Sequence, residues 1–331
     1  MNFDYNEEQQ LLADSVRRFL QKDYDFEARK RIVASPQGWS ERAWSTFAEM
    51  GLTALPLSPD YGGFGGGAVD LMSVMEAFGE ALVVEPYLPT ILGAQLIVRC
   101  GTSEQKQNIL PLVAQGKMRL ALATGERGMI GAPMADKIVF AHDQKFFLVE
   151  REALQLKPHR TLDDLGAADV RFNAAAAAPM SANAAQLQEV LDFGAALSCA
   201  EAVGAMKFAC DSTLEYLKTR RQFGVPIGSF QALQHRMVDM FISYEQARSM
   251  ACLACSKADG AADERDRARA ISAAKIKIAD SARHISQESV QLHGGMGMSE
   301  ELKISHTFRR LTALARRFGD ADHHLARFAS L

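Results

Sequence analysis

Gln291-Leu292-His293-Gly294-Gly295-Met296-Gly297 closes a long amphipathic run that begins near Ala268. Ala268, Ile271, Ala274, Ile278, Ala282, Ile285, Ser289 and Leu292 recur every three or four residues, so they fall on one helical face. The glycines end that helix, because Gly takes the positive φ of a C′ position without steric cost. A second helical run is expected from about Ser299, with Glu300 and Glu301 in its first turn, where carboxylates suit the helix dipole. Two helices joined by bare amides can receive a phosphate, a pyrophosphate or another subunit's backbone. A plain helix–helix connector is the competing reading, since Gly is common at helix ends.

Working upstream, helical patterns are expected over Ala184–Lys218, Phe230–Ala258 and Ala262–Leu292. Leu233, Met237, Met240, Tyr244, Ala247 and Ala251 share a face of the second. With the run from Ser299, these four helices and their short connections predict an antiparallel bundle. The link between the first two is Thr219-Arg220-Arg221-Gln222-Phe223-Gly224-Val225-Pro226-Ile227-Gly228-Ser229-Phe230-Gln231. Arg can clamp a pyrophosphate bidentately and Phe can stack on a ring. A solvated loop with one buried Phe is the alternative.

Residues 119–180 change character. Arg119–Ala123, Lys137–Ala141 and Lys145–Val149 are short and β-rich, with Asp143-Gln144 as a hairpin connection. A unit of roughly 60 residues is near the lower limit for independent folding, so it should lean on helical parts. Ala174–Ala178, followed by Pro179, reads as a linker. Residues 1–118 read as helices. Leu11, Leu12, Val16, Phe19 and Leu20 share a face, and Trp44, Phe47 and Met50 belong to a short helix ended by Gly51. Further helices are expected over Ala68–Glu85 and Pro89–Cys100, then a start capped by Thr102 or Ser103. Between them, residues 56–67 form a breaker-rich loop without the Lys-Ser/Thr of a Walker motif, read as structural. The fold class is therefore mainly α with a small central β domain: helical 1–118, β 119–180, four-helix bundle 181–331.

Composition narrows the function classes. The 331 residues are 48% hydrophobic and 23% charged, with a net charge of −3, which offers no attraction to nucleic acid or an anionic membrane. No apolar run approaches a membrane span and the N-terminus lacks a signal-peptide pattern, so a cytoplasmic setting is expected. The five cysteines stand at 100, 199, 210, 252 and 255; Cys252 and Cys255 form a CxxC inside a helical pattern, read as core thiols. No metal site is expected there or at His323-His324. His293 is read as a packed or backbone-bonded histidine. Arg309-Arg310 and Arg316-Arg317 are seven apart, read as a solvated or subunit-facing stripe rather than a CoA phosphate site.

Taken together, Arg220-x-x-Phe223-Gly224-x-Pro226-Ile227-x-x-Phe230-Gln231 and, about sixty residues on, the Gln291–Gly297 turn resemble the acyl-CoA dehydrogenase family. Tyr61-Gly62-Gly63-Phe64-Gly65 and Gly101-Thr102-Ser103-Glu104-Gln105-Lys106 with Leu110-Pro111 resemble that family's N-terminal signatures. The resemblance implies FAD held between subunits. Residues matching Arg220, Gln222, Phe223 and Gln231 contact the adenosine diphosphate part from one subunit, and those matching Gln291, Gly294 and Gly295 from the neighbour. It implies an acyl-CoA substrate, a glutamate that takes the α-proton, hydride transfer from the β-carbon, a dimer-based tetramer and an electron-transfer flavoprotein as acceptor.

The departures are specific. The family's glutamate place falls at Phe318, before Gly319, and a second place falls near Gly194-Ala195. Asp320 is the fallback base; its competing reading is a helix cap before Ala321–Ala329. The loop that holds the flavin ring in relatives reads Ala123-Thr124-Gly125-Glu126-Arg127-Gly128 here, and both tryptophans, Trp39 and Trp44, lie far upstream. The chain thus resembles the base-lacking partner subunits of heteromeric, steroid side-chain type acyl-CoA dehydrogenases. The alternative expectation is a non-enzymatic structural or acyl-CoA-binding subunit that has lost flavin.

Overall fold

The structure, a computed structural model, describes residues 6–142, 145–173 and 177–331. The expected hairpin connection at Asp143-Gln144, residues 174–176 of the expected linker and the first five residues lie outside them. In chain order the helices are α1 (Glu7–Asp23), α2 (Phe26–Ala34), α3 (Glu41–Glu49), α4 (Ala68–Ala81), α5 (Tyr87–Cys100), α6 (Ser103–Ala114), α7 (Ala184–Thr219), α8 (Gln231–Gly260), α9 (Glu264–His293), α10 (Lys303–Leu314) and α11 (Ala321–Ala329). The strands are β1 (Leu120–Ala123), β2 (Met129–Ile130), β3 (Lys137–His142), β4 (Lys145–Glu150), β5 (Leu154–Arg160), β6 (Gly166–Phe172), β7 (Ala178–Met180), β8 (Arg221–Gln222) and β9 (Val225–Pro226). The architecture is mainly α with a small β part, ending in a helical bundle.

The chain divides into two compact units. One comprises Glu27–Gly67 and Val84–Gly194. Its strands make a four-stranded sheet, β1-β3-β4-β7, and a three-stranded sheet, β2-β6-β5. Ala121, Ile138, Phe140, Val149, Ala168 and Val170 from both sheets share one core. The β part leans on α5, as its size requires: the Thr90 hydroxyl donates to the Leu120 carbonyl at 3.2 Å, and a Cβ at Gly93 would stand 2.8 Å from that of Leu120. β5 and β6 lack a sequence signal; β5 is largely exposed and Lys-, His- and Arg-rich, so no apolar alternation marks it. In the 56–67 loop the Gly65 and Gly66 amides donate to the Leu57 and Leu55 carbonyls, and a Cβ at Gly63 would lie 2.1 Å from Leu57 O. These amides are spent inside the loop, as a structural role demands. Thr102 caps α6 with a reciprocal bond to Gln105.

The other unit comprises Met1–Phe26, Ala68–Val83 and Ala195–Leu331. In it α9 carries α8, α10 and α11, with Ile271, Ala274, Ile278, Ala282, Ile285, Ser289 and Leu292 buried as the periodicity predicts. α4, together with α1, joins this unit rather than α2 and α3, and the reason is steric. A Cβ at Gly79 would meet Glu201 O at 1.8 Å, and one at Gly204 would meet Glu76 O at 1.8 Å, so α4 and α7 cross backbone to backbone. α7 is long and apolar enough to cross a membrane by length and composition, but 89% of its apolar window is buried.

Three local expectations are corrected. In α1 the buried stripe is Ala13, Val16 and Leu20, while Leu11 is 68% exposed. The run after the glycine turn becomes helical at Lys303, not Ser299; Gly294–Met298 form a 3-10 turn instead, and Glu300 pairs with Arg309 at 2.9 Å. Of the arginine pairs, Arg316 is exposed and Arg309 reaches the exposed Glu300, but Arg310 and Arg317 turn inward rather than forming a surface stripe. Arg310 is 2% exposed and donates to both Glu201 (2.6 Å) and the Val83 carbonyl, while Arg317 takes the other Glu201 oxygen at 3.1 Å. One buried carboxylate thus bridges two guanidiniums, which charge patterning along a helix cannot reveal.

Candidate functional site

α7 ends where α8 begins, and α9 returns antiparallel, so residues 219–231 and 291–298 meet at one end of the bundle. In the first stretch, β8 and β9 pair through Gln222 and Val225, leaving Phe223-Gly224 as a two-residue turn. Both turn residues have positive φ, +54° and +82°, the signature of a type I′ hairpin. Asn-Gly normally fills that turn; a Phe there carries backbone strain, and its ring is 90% exposed. The Arg221 guanidinium donates to the Gly224 carbonyl at 3.0 Å and so braces the hairpin. Arg220 differs: it is exposed, and its guanidinium pairs with no carboxylate among the described residues. Gln222 is exposed with its amide on the Arg221 carbonyl, and Gln231 opens α8, whose N-cap, Phe230, makes no side-chain cap.

The second stretch is the glycine turn. Gly294 caps α9 at φ 63°, ψ −145°, a conformation essentially closed to other residues. Gly297 is required by packing, since a Cβ would lie 2.5 Å from Val290 O. Gly295 is required by neither: its φ is not positive and a Cβ there meets nothing within 4 Å. Gln291, Gly294 and Gly295 are exposed. His293 is buried, its Nδ1 donates to the Ser289 carbonyl at 2.8 Å, and burial lowers its pKa. It is a packed, backbone-bonded histidine, as expected. The five cysteines are buried free thiols, with burial raising each pKa.

The helices that carry the two stretches touch just behind them. The Tyr216 ring stacks on His293 with centroids 4.4 Å apart, and its hydroxyl donates to the His293 carbonyl at 3.4 Å. Arg236 of α8 donates to Glu288 of α9 at 2.6 Å. Sequence reasoning missed Tyr216, Arg236 and Glu288. The available signal was position: each stands one or two helical turns behind a candidate ligand-facing residue.

The third turn, 315–320, carries the positions in question for a base. Phe318 sits at φ +60° and Gly319 at φ +102°. The buried Lys275 ammonium donates to the Leu314 and Arg317 carbonyls at 3.0 and 2.7 Å, and burial lowers its pKa to about 8. His324 Nε2 donates to the Phe318 carbonyl at 2.9 Å while its Nδ1 faces the Ser272 hydroxyl at 3.3 Å; burial pushes its pKa down to about 4, so the ring is neutral. Asp320 is the N-cap of α11, accepting the His323 amide at 2.9 Å, which holds its carboxyl below the usual range. Gly194 and Ala195 lie within α7.

Comparison with known proteins decides the family. The description of the acyl-CoA dehydrogenase N-terminal domain matches residues 6–117, and that of the C-terminal domain matches residues 184–329. Acyl-CoA dehydrogenase IpdE2 of Mycobacterium tuberculosis is 32% identical over 305 residues, 92% of this chain and 91% of its own length. The chain belongs to the acyl-CoA dehydrogenase family. Its Mycolicibacterium smegmatis relative of the same name is 28% identical over 97% of this chain and 98% of its own length. In fold, the chain is similar to the ChsE4-ChsE5 complex of Mycobacterium tuberculosis (TM-score 0.90, 21% identity, 100% and 98% covered). It is also similar to the Tcur3481-Tcur3483 steroid ACAD (TM-score 0.89, 24% identity, 98% and 97% covered). The family's reaction is FAD-dependent α,β-dehydrogenation of acyl-CoA thioesters, and its cofactor is FAD. The residues at the bundle end fit the diphosphate of that cofactor: a guanidinium that pairs with no carboxylate among the described residues, a start of α8 without a side-chain cap, and an exposed glycine with open space above it.

Proposed function

We propose that this chain is the dinucleotide-holding subunit of a heteromeric acyl-CoA dehydrogenase, and that a longer paralogous partner supplies the catalytic base and the pocket for the flavin ring. The observation that carries this reading is Phe318 at the place before Gly319, with Gly194-Ala195 at the second place. Neither offers a group that accepts a proton. Arg220 would clamp the diphosphate, with Gln222, Phe223 and Gln231 beside it, and the exposed Gly294-Gly295 turn would let its oxygens approach the backbone, with the Gly295 amide as donor, since that of Gly294 is bonded to the Gln291 carbonyl. Because the helices behind the two stretches touch within one chain, a single copy would supply both to one cofactor, in place of the two-subunit division that the resemblance implies. When bound, FAD supplies the acceptor for the hydride that leaves the β-carbon. The α-proton goes to the partner's base as the Cα–Cβ double bond forms. The two-protein neighbours in fold support a paired assembly, and the steroid neighbour's name supports a bulky, steroid side-chain acyl-CoA. We place the pair in the cytoplasm as a dimer-based tetramer, with an electron-transfer flavoprotein as electron acceptor.

The test is turnover. The chain alone, supplied with FAD, should not oxidise acyl-CoAs, and the co-expressed pair should. Ordinary turnover by the chain alone would overturn the missing-base argument. Asp320→Ala would then show whether Asp320 is the base: loss of activity with the fold retained would assign it.

A further inference from the structure

The hairpin and the glycine turn are both exposed, and what holds them against one another lies just behind them. Tyr216 stands one helical turn before Arg220, and its carbonyl accepts the Arg220 amide at 2.8 Å. Its ring lies on His293, the residue before Gly294, with an interplanar angle of 24°, and its hydroxyl reaches the His293 carbonyl. His293 is itself fixed through Ser289 and is 4% exposed. On the other side, Arg236 stands in the second turn of α8 behind Gln231, and its partner Glu288 is one turn before Gln291. We infer that Tyr216 with His293, and Arg236 with Glu288, are positioning residues of the cofactor site, an inference that rests on the reading proposed above. Each pair bridges the two ligand-facing stretches from behind. An aromatic stack sets the distance between helix ends, and a charge-assisted bond sets their rotation. A guanidinium on one stretch and amides on the other can grip one diphosphate only if that spacing is kept, since binding groups act at tolerances well under an ångström.

The experiment uses the complex with its partner, stripped of flavin and titrated with FAD and, separately, with ADP. Tyr216→Leu and Arg236→Ala are each expected to raise the Kd for FAD about tenfold, and that for ADP by the same factor, because the loss falls on the diphosphate. Tyr216→Phe keeps the stack and should stay within about twofold. Combined with Arg220→Ala, Tyr216→Leu should add little, because its effect runs through the placement of Arg220. A purely structural role would lower Tm and leave both Kd values within about twofold, and that result would overturn the inference. Fully additive losses with Arg220→Ala would overturn it too. If the larger substitutions prevent assembly, Glu288→Gln removes the charge with shape retained; an unchanged Kd there would count against the proposal and a raised one for it. An unaltered complex that binds neither FAD nor ADP would sink the underlying reading, whereas normal flavin binding with unmoved variants would sink only this inference.

Discussion

The Gly294-Gly295 turn and the Phe318-Gly319 turn follow neighbouring helices of one bundle, and they are built in opposite ways. At the first, the backbone is exposed, Gly295 has open space above it, and the Arg220 guanidinium pairs with no carboxylate among the described residues. At the second, the carbonyls of Leu314, Arg317 and Phe318 are taken by Lys275 and His324, and Glu201 pins Arg310 and Arg317. Exposed backbone can be approached by a ligand, whereas bonded carbonyls hold a turn in place. The glycine turn is thus open where the Phe318-Gly319 turn is tied to Lys275 and His324.

Substitutions can break or sharpen that contrast. Glu201→Leu should cost about 3–5 kcal/mol, since it removes the carboxylate shared by buried Arg310 and half-buried Arg317; urea denaturation checks this. Acid should act next. The His324 pKa is lowered on folding, so its contribution is complete above pH 6.5 and is lost as pH falls toward about 4, up to about 3 kcal/mol in all. The stability-versus-pH curve of His324→Gln should be flatter across that window. Neither change should alter the cofactor end beyond its effect on folding. Conversely, Arg220→Ala should raise the FAD Kd of the complex roughly 10- to 100-fold without lowering Tm. Gly295→Ala should fold normally and weaken FAD binding about tenfold, as read by flavin fluorescence. The smallest effect is expected at the hairpin tip: Phe223→Asn relieves a positive φ and should stabilise the chain by about 0.5–1 kcal/mol.

Much of this was legible in the sequence because it is periodic or conformational. The α9 stripe from Ile271 to Leu292 appears as written, and Gly294 ends the helix for the reason glycines do. The order of helices, short strands and bundle also followed from local pattern. What escaped were features made by residues distant in the chain. Arg310 looked like surface charge until Glu201, on another helix, met it. Lys303 starts α10 because the preceding glycines continue into a 3-10 turn, a choice that helix-dipole arguments at Glu300 and Glu301 do not capture. Strand β5 carries Lys157, His159 and Arg160 and so lacks the alternation that marks half-buried strands. The candidate cofactor-binding residues follow from the resemblance to the family's motifs, but Tyr216, Arg236 and Glu288 require knowing which helix ends meet.

The most direct measurement is the visible absorption spectrum of the purified chain, alone and co-expressed with its partner, with flavin counted per chain. The account predicts flavin bands in the complex and none from the chain alone. Flavin bound stoichiometrically by the chain alone would contradict it, because like chains would then complete a site that this chain is argued to hold only in part.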